Sequence, residues 1–256
     1  MGDVRDAIAK VPALTLGFWA IKILATTLGE TAGDAVTMSW LGETTAAATG
    51  MGYLIGTAIF ATVFVLAVAA QMRAKAFHPF LYWATIIAST TVGTTLADFA
   101  DRSLGIGYAG GSTLLLASLC AWHRTLGSIA VETVGDPKTE AFYWLTIMFS
   151  QTLGTALGDW VADSAGLGYV GGMWFFGGAL AIVAGLHFRS RLSPTLLFWA
   201  AFILTRPLGA VVGDFLDKPL AKGGLELSRY TASSALLVAI VLLVLVIPQR
   251  AARRAH

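Results

Sequence analysis

The sequence predicts an all-α polytopic membrane protein, with eight transmembrane helices forming four parallel two-helix repeats in a single membrane domain over 1–256. Three observations carry this. Mean hydropathy is +0.73 and only 12% of residues are charged, about half the ~25% usual in a soluble domain. Eight stretches are long and apolar enough to match the ~20 residues that cross a hydrocarbon core. A pattern of an aromatic–Trp pair, a Gly and an Asp also recurs four times.

The copies of the pattern are Phe18-Trp19, Gly29, Asp34; Tyr82-Trp83, Gly93, Asp98; Tyr143-Trp144, Gly154, Asp159; and Phe198-Trp199, Gly209, Asp214. In each, Gly follows Trp by 10 residues and Asp follows it by 15. Successive Trp residues are 64, 61 and 55 apart, so the repeat is about sixty residues long.

The first motif helix is expected at 14–37. The segment before it holds Asp3, Arg5, Asp6 and Lys10, and no convincing cleavage site follows, so it reads as a retained span and not a removed signal peptide. Its partner helix is expected at 47–71. Repeat two gives 80–100 and 108–131, repeat three 141–162 and 168–188, and repeat four 195–216 and 229–248. The repeats therefore cover approximately 14–71, 80–131, 141–188 and 195–248. The second helices are plainer in composition and read as lipid-facing or packed. A β-barrel is excluded because the apolar runs are too long and do not alternate. Gly-rich loops such as Gly105-Ile106-Gly107 and Gly166-Leu167-Gly168 supply the backbone freedom for tight re-entry. The lone Cys120 excludes an intrachain disulfide.

Eleven Lys and Arg residues lie in the N-terminal segment, the inter-repeat loops and the C-terminus, against four in the loops within repeats. The positive-inside rule then places both termini in the cytoplasm. Every repeat enters the membrane in the same direction, and the symmetry axis runs along the membrane normal.

Helical periodicity sets polar residues in one stripe below each motif Asp. The stripes are Asp34-Glu30-Thr26, Asp98-Thr94-Thr90, Asp159-Thr155-Gln151 and Asp214-Ala210-Arg206. Ionisable groups inside spans cost about 2.5–3.5 kcal/mol or more and usually face a bundle interior or a wet cavity. Glu30, Asp34, Asp98, Asp159 and Asp214 are expected to form a cation-binding or translocation path, with Thr94, Thr155 and Gln151 beside them. Lys22 and Arg206 are expected to be internal counter-ions. Counting only these two bases, three negative charges remain unmatched, which favours either protonation or a hard cation on the oxygen-rich stripes. Asp101, Asp163 and Asp217 are expected at the outer mouth. The competing reading is that the motif Asp residues cap the re-entrant loops or pair with Arg102, Lys218 or Arg229. Trp19, Trp83, Trp144 and Trp199 read as packing residues or boundary anchors, and Gly29, Gly93, Gly154 and Gly209 as points of close helix approach.

On those four Trp and four Gly residues the chain resembles a family of bacterial membrane proteins built from a repeat of unknown function, DUF347. The resemblance covers nearly the whole chain. It implies four tandem repeats of two transmembrane segments and a bacterial inner-membrane location, and it implies no activity. The run Gly29-Glu30-Thr31-Ala32-Gly33-Asp34 is also similar to the acidic Glu-x-Gly-Asp motif of some manganese and calcium exchangers, here spaced Glu-x-x-Gly-Asp.

The expected function is transport of a divalent cation, with Mn²⁺ first and efflux favoured over uptake, and with protons as a candidate coupling ion. The alternatives are a passive cation channel with a ring of Asp, and a non-transport scaffold or lipid-binding protein. No enzyme activity is expected, because no nucleophile–base pair, HExxH motif or phosphate loop occurs. No cofactor and no nucleic-acid partner are expected. The partners are the bilayer and a small cation, and oligomer formation is left open.

Overall fold

The computed structural model describes residues 10–126 and 137–252. Within them the predicted hairpins form eight long helices: α1 (Leu16–Asp34), α2 (Met51–Arg73), α3 (Pro79–Asp98), α4 (Gly107–Leu126), α5 (Pro137–Asp159), α6 (Gly168–Arg189), α7 (Pro194–Asp217) and α8 (Arg229–Val246). Residues 127–131 of the second predicted span of repeat two, together with Arg5, Arg253 and Arg254, lie outside the described residues. The helix starts follow local chemistry. Thr15 caps α1 by accepting from the Phe18 N–H, and His78 caps α3 ahead of Pro79. Pro137 and Pro194 open α5 and α7, where the missing N–H costs nothing. Three motif helices run past their Asp into a π-helical turn, at Ala35–Trp40, Phe99–Ser103 and Trp160–Ser164.

Among the described residues, five helices are long and apolar enough to cross a membrane: α2, α3 with its π turn, α6, α7 and α8. Of the other three, α1 carries Lys22, Glu30 and Asp34 within its 19 residues.

The motif helices form a closed inner ring in the order α1, α3, α5, α7, with α7 returning to α1. Each outer helix packs on the motif helix of the next repeat: α2 on α3, α4 on α5, α6 on α7 and α8 on α1. The repeats are therefore interlocked, and the first and last meet. Large apolar side chains cover the outer helices, Leu66, Trp174, Ile182 and Leu245 among them, and these are exposed.

The four motif glycines explain why the ring closes so tightly. A Cβ on Gly29, Gly93, Gly154 or Gly209 would lie 2.5, 2.6, 2.5 or 2.5 Å from the Cβ of Thr90, Gln151, Arg206 or Thr26, respectively. Each partner sits seven residues after the Trp of the neighbouring repeat, so one contact is repeated around all four interfaces. No larger residue fits, because helix backbones this close leave no room for a methyl group. Hydroxyls reinforce two of the interfaces: Thr90 Oγ1 donates to the Ala25 carbonyl at 3.2 Å, and Thr26 Oγ1 to the Thr205 carbonyl at 3.1 Å.

The aromatic pairs repeat in the same cyclic way. Phe18 meets Trp83 at 5.4 Å between ring centroids, Tyr82 meets Trp144 at 5.8 Å, Tyr143 meets Trp199 at 6.4 Å, and Phe198 meets Trp19 at 6.1 Å. Trp83, Trp144 and Trp199 are buried in this layer and pack between neighbouring repeats. The first and last described residues fold beneath it: the Ala252 N–H donates to the Val11 carbonyl, Trp83 Nε1 to Gln249 Oε1, and Lys10 Nζ pairs with Glu140 at 2.8 Å. That end of the bundle is therefore closed by tilted and edge-on rings and by a clasp between Val11 and Ala252.

Candidate functional site

Because the four repeats keep one register, equivalent side chains form layers along the ring axis. Above the aromatic layer come Lys22, Ile86, Ile147 and Phe202, all fully buried. One turn on are Thr26, Thr90, Gln151 and Arg206, also fully buried. The next turn holds Glu30, Thr94, Thr155 and Ala210, and the one after it the motif residues Asp34, Asp98, Asp159 and Asp214. A turn rises about 5.4 Å, so this column is roughly one bilayer leaflet long.

The centre is an ion pair fixed by hydroxyls. Arg206 Nη2 donates to Glu30 Oε2 at 2.8 Å, to Thr94 Oγ1 at 2.6 Å and to Thr155 Oγ1. Thr94 Oγ1 also lies 3.3 Å from Glu30 Oε2. Arg206, predicted as a counter-ion, thus ties α7 to α1, α3 and α5 across the axis. Pro207 follows it within α7 and packs against Gly154 and Gly158 of α5.

The Asp layer is the second cluster. Asp98 accepts from Arg102 Nε at 2.7 Å. Lys218 Nζ donates to Asp34, and lies 3.0 Å from Asp214 and 3.8 Å from Asp217. Arg229 Nε reaches Asp217 at 3.1 Å and Asp34 at 3.9 Å. Burial by itself lowers the Lys218 pKa, but the carboxylates of Asp214, Asp34 and Asp217 outweigh it and hold the value well above the ordinary lysine range.

Asp159 differs from the other three motif acids. Among the described residues it makes no salt bridge and no hydrogen bond, and one of its oxygens lies within 4.8 Å of oxygens from both Glu30 and Asp214. Asp34, Asp214 and Asp217 form a comparable group, but Lys218 stands among them. Three acids at such separations are what a hard cation requires, and in the first group Glu30 is held by Arg206 and Asp214 by Lys218, which leaves Asp159 as its member without a salt bridge among the described residues.

Above the Asp layer, at the hairpin end, lies a cavity of about 590 Å³. Its walls include Arg102, Asp163, Asp217, Lys218, Lys222 and Arg229.

Several expectations change here. Lys22 is not paired with an acid: its Nζ has no hydrogen-bond partner and lies 4.1 Å over the Phe202 ring. Gln151 has both amide atoms unpartnered and makes no hydrogen bond to the acids. Asp217 is buried between Lys218 and Arg229, whereas Asp163 is exposed at the mouth and Asp101 half-buried there. The surplus of negative charge also shrinks, because Arg102, Lys218 and Arg229 fold from the hairpin loops onto the acids, although Asp217 joins those acids and Asp159 stays without a salt bridge among the described residues. These three bases are the ones that the competing sequence reading names as partners of the motif Asp residues, and the charge count confined to the spans leaves them out. The spacing carried a signal for two of them, since Arg102 follows Asp98 by four residues and Lys218 follows Asp214 by four.

A ring of four glycine-locked helices, four outer helices each shifted onto the next repeat, and an axial column of ionisable groups define a pseudo-fourfold bundle made from tandem hairpins. The chain belongs to the family described as Repeat of Unknown Function (DUF347), whose profile matches residues 17–77, 81–127, 142–193 and 197–254. No curated protein and no solved structure matches the chain.

Proposed function

We propose that this is an eight-span membrane transporter that binds a cation at Glu30, Asp159 and Asp214, with a divalent metal as substrate and Mn²⁺ as the first candidate. The observation that carries the reading is Asp159, a motif acid with no salt bridge among the described residues, whose oxygen lies within 4.8 Å of oxygens from Glu30 and Asp214. Carboxylate and hydroxyl oxygens suit hard cations over soft ones. Lys218, which lines the hairpin-end cavity and touches Asp214, stands where an ion would pass from that cavity to the site.

Under the positive-inside orientation, the cavity opens away from the cytoplasm and the aromatic layer closes the cytoplasmic side of a bacterial inner-membrane protein. A transporter is favoured over a passive channel because the Arg206 network and the aromatic layer both cross the axis. Moving an ion through requires these layers to part in turn, which is alternating access. Protons are the natural coupling ion, since carboxylates released from a metal can take them up.

A metal-sensitivity screen of a deletion strain tests the substrate. Sensitivity restricted to Mn²⁺, rescued by the wild-type gene and not by Asp159→Asn, supports the reading. Equal growth of deletion and parent strains across Mn²⁺, Mg²⁺, Ca²⁺, Co²⁺ and Zn²⁺ counts against it.

A further inference from the structure

The helices close into a ring, but the chain itself closes only three of its four junctions. It runs from α2 into α3, from α4 into α5 and from α6 into α7. In each case the outer helix packs on the motif helix that follows it. Residues 74–78 and 190–193 are enough to make the first and third of these turns. α8 packs on α1 in the same way, but the two are the last and first helices in chain order, so no linker joins them. The junction of repeat four with repeat one is therefore a seam.

The seam is held differently at three heights. At the hairpin end Lys218 donates to Asp34, Arg229 Nε lies 3.9 Å from the same acid, and Arg229 Nη1 donates to Ser39 Oγ at 3.0 Å. In the middle, Gly209 fits against Thr26 and Arg206 pairs with Glu30 at 2.8 Å. At the opposite end a short antiparallel clasp stands where the other junctions have a linker. Pro12 lies opposite Ala251, the Ala13 N–H donates to the Arg250 carbonyl at 2.8 Å, and the Ala252 N–H donates to the Val11 carbonyl at 2.9 Å. A peptide linker cannot part, whereas two main-chain hydrogen bonds contribute little net because water competes for both partners. The aromatic layer carries the same difference. Trp19, which meets Phe198 across the seam, is only partly buried, while Trp83, Trp144 and Trp199 are buried.

The two strands of the clasp are anchored unequally. Lys10 is fixed to the Met72 carbonyl at 3.0 Å and to Glu140 at 2.8 Å, and its own carbonyl accepts from Gln71 Nε2 at 3.1 Å. The first strand therefore belongs to the body of the bundle. Residues 249–252 have one side-chain tie to that body, from Trp83 Nε1 to Gln249 Oε1 at 3.2 Å. We propose that the ring opens at this seam: residues 249–252 unlatch from residues 11–13, and the adjoining ends of α7 and α8 separate from α1 about the Gly209–Thr26 contact. The ion pairs at the hairpin end stay made, and the aromatic layer is uncovered beside Trp19. Four copies of one repeat thus give a single gate, placed at the junction that the chain does not close. The latch does not depend on the metal reading.

Spin labels read the opening. In a Cys120→Ser background, Leu16→Cys/Val246→Cys places labels on either side of the seam, and Phe188→Cys/Leu196→Cys places them on either side of the equivalent junction of α6 with α7. All four positions are exposed, so labelling leaves the packing intact. In lipid nanodiscs, dipolar EPR is expected to give two populations of distances for the first pair and one for the second. Ala252→Pro removes the N–H that the clasp donates to Val11. It is expected to enlarge the longer Leu16–Val246 population at least about twofold and to leave the Phe188–Leu196 distances unchanged. A single population for the seam pair, two populations for both pairs, or a seam distribution unchanged by Ala252→Pro each overturns the proposal. The first two outcomes are read without touching the clasp. Neither a metal nor flux enters these readings, so failure here is separable from failure of the cation site.

Discussion

The guanidinium of Arg206 on α7 meets the carboxylate of Glu30 on α1 at 2.8 Å, with both residues buried where the four motif helices converge. Glu30→Gln leaves Arg206 charged and uncompensated. Breaking one side of a buried pair costs about 3–5 kcal/mol. Chemical unfolding in detergent is expected to show that loss for Glu30→Gln. The double variant Glu30→Gln/Arg206→Met is expected to recover a large part of it, and a double-mutant cycle measures the coupling.

The ring closes through glycine. Gly29→Ala and Gly154→Ala place a methyl group against Thr90 and Arg206, where helix backbones would have to separate. Overpacking of this kind costs about 1–3 kcal/mol. Gly177 on α6 has open space around its Cβ position. Gly177→Ala is therefore expected to be neutral or to stabilise by up to about 1 kcal/mol, since Ala is the better helix former. Unfolding midpoints of the three variants, measured side by side, separate close packing from helix propensity.

Lys218 occupies the Asp34–Asp214–Asp217 group as a tethered cation. Any metal drawn to Asp214 competes with it. Lys218→Met is expected to raise the apparent affinity for Mn²⁺ about tenfold, or ~1.4 kcal/mol, as read by calorimetric titration. The gain is expected to vanish in Lys218→Met/Asp214→Asn.

Much of the architecture was legible because the repeat is written in the sequence at fixed spacing. Trp, Gly and Asp at constant separations force one register on four helices, so the stripes below Asp34, Asp98, Asp159 and Asp214 predicted which residues share the axis. What could not be read was how the repeats meet. Gly29 against Thr90 and Phe18 against Trp83 are contacts between neighbouring repeats about sixty residues apart, and periodicity within one helix says nothing about its partner. Which of the two charge readings holds depends on the same thing, and the pairs with Arg102, Lys218 and Arg229 follow the competing one. Lys218 and Arg229 lie in and after a loop, and only the fold of residues 218–229 back over α7 brings them onto Asp34 and Asp217. Lys22 was assigned an acid partner on charge alone. It lies two layers from Glu30, which Arg206 already holds.

The most direct test of the cation reading is Mn²⁺ flux into proteoliposomes containing the purified protein, comparing wild type with Asp159→Asn. Asp159 holds no salt bridge among the described residues, so its amide variant is expected to fold normally, and a matched unfolding midpoint checks this. The prediction is saturable Mn²⁺ flux in the wild type and a loss of at least about tenfold in Asp159→Asn. Wild-type flux no greater than that of empty liposomes, or flux unchanged by the substitution, would contradict it.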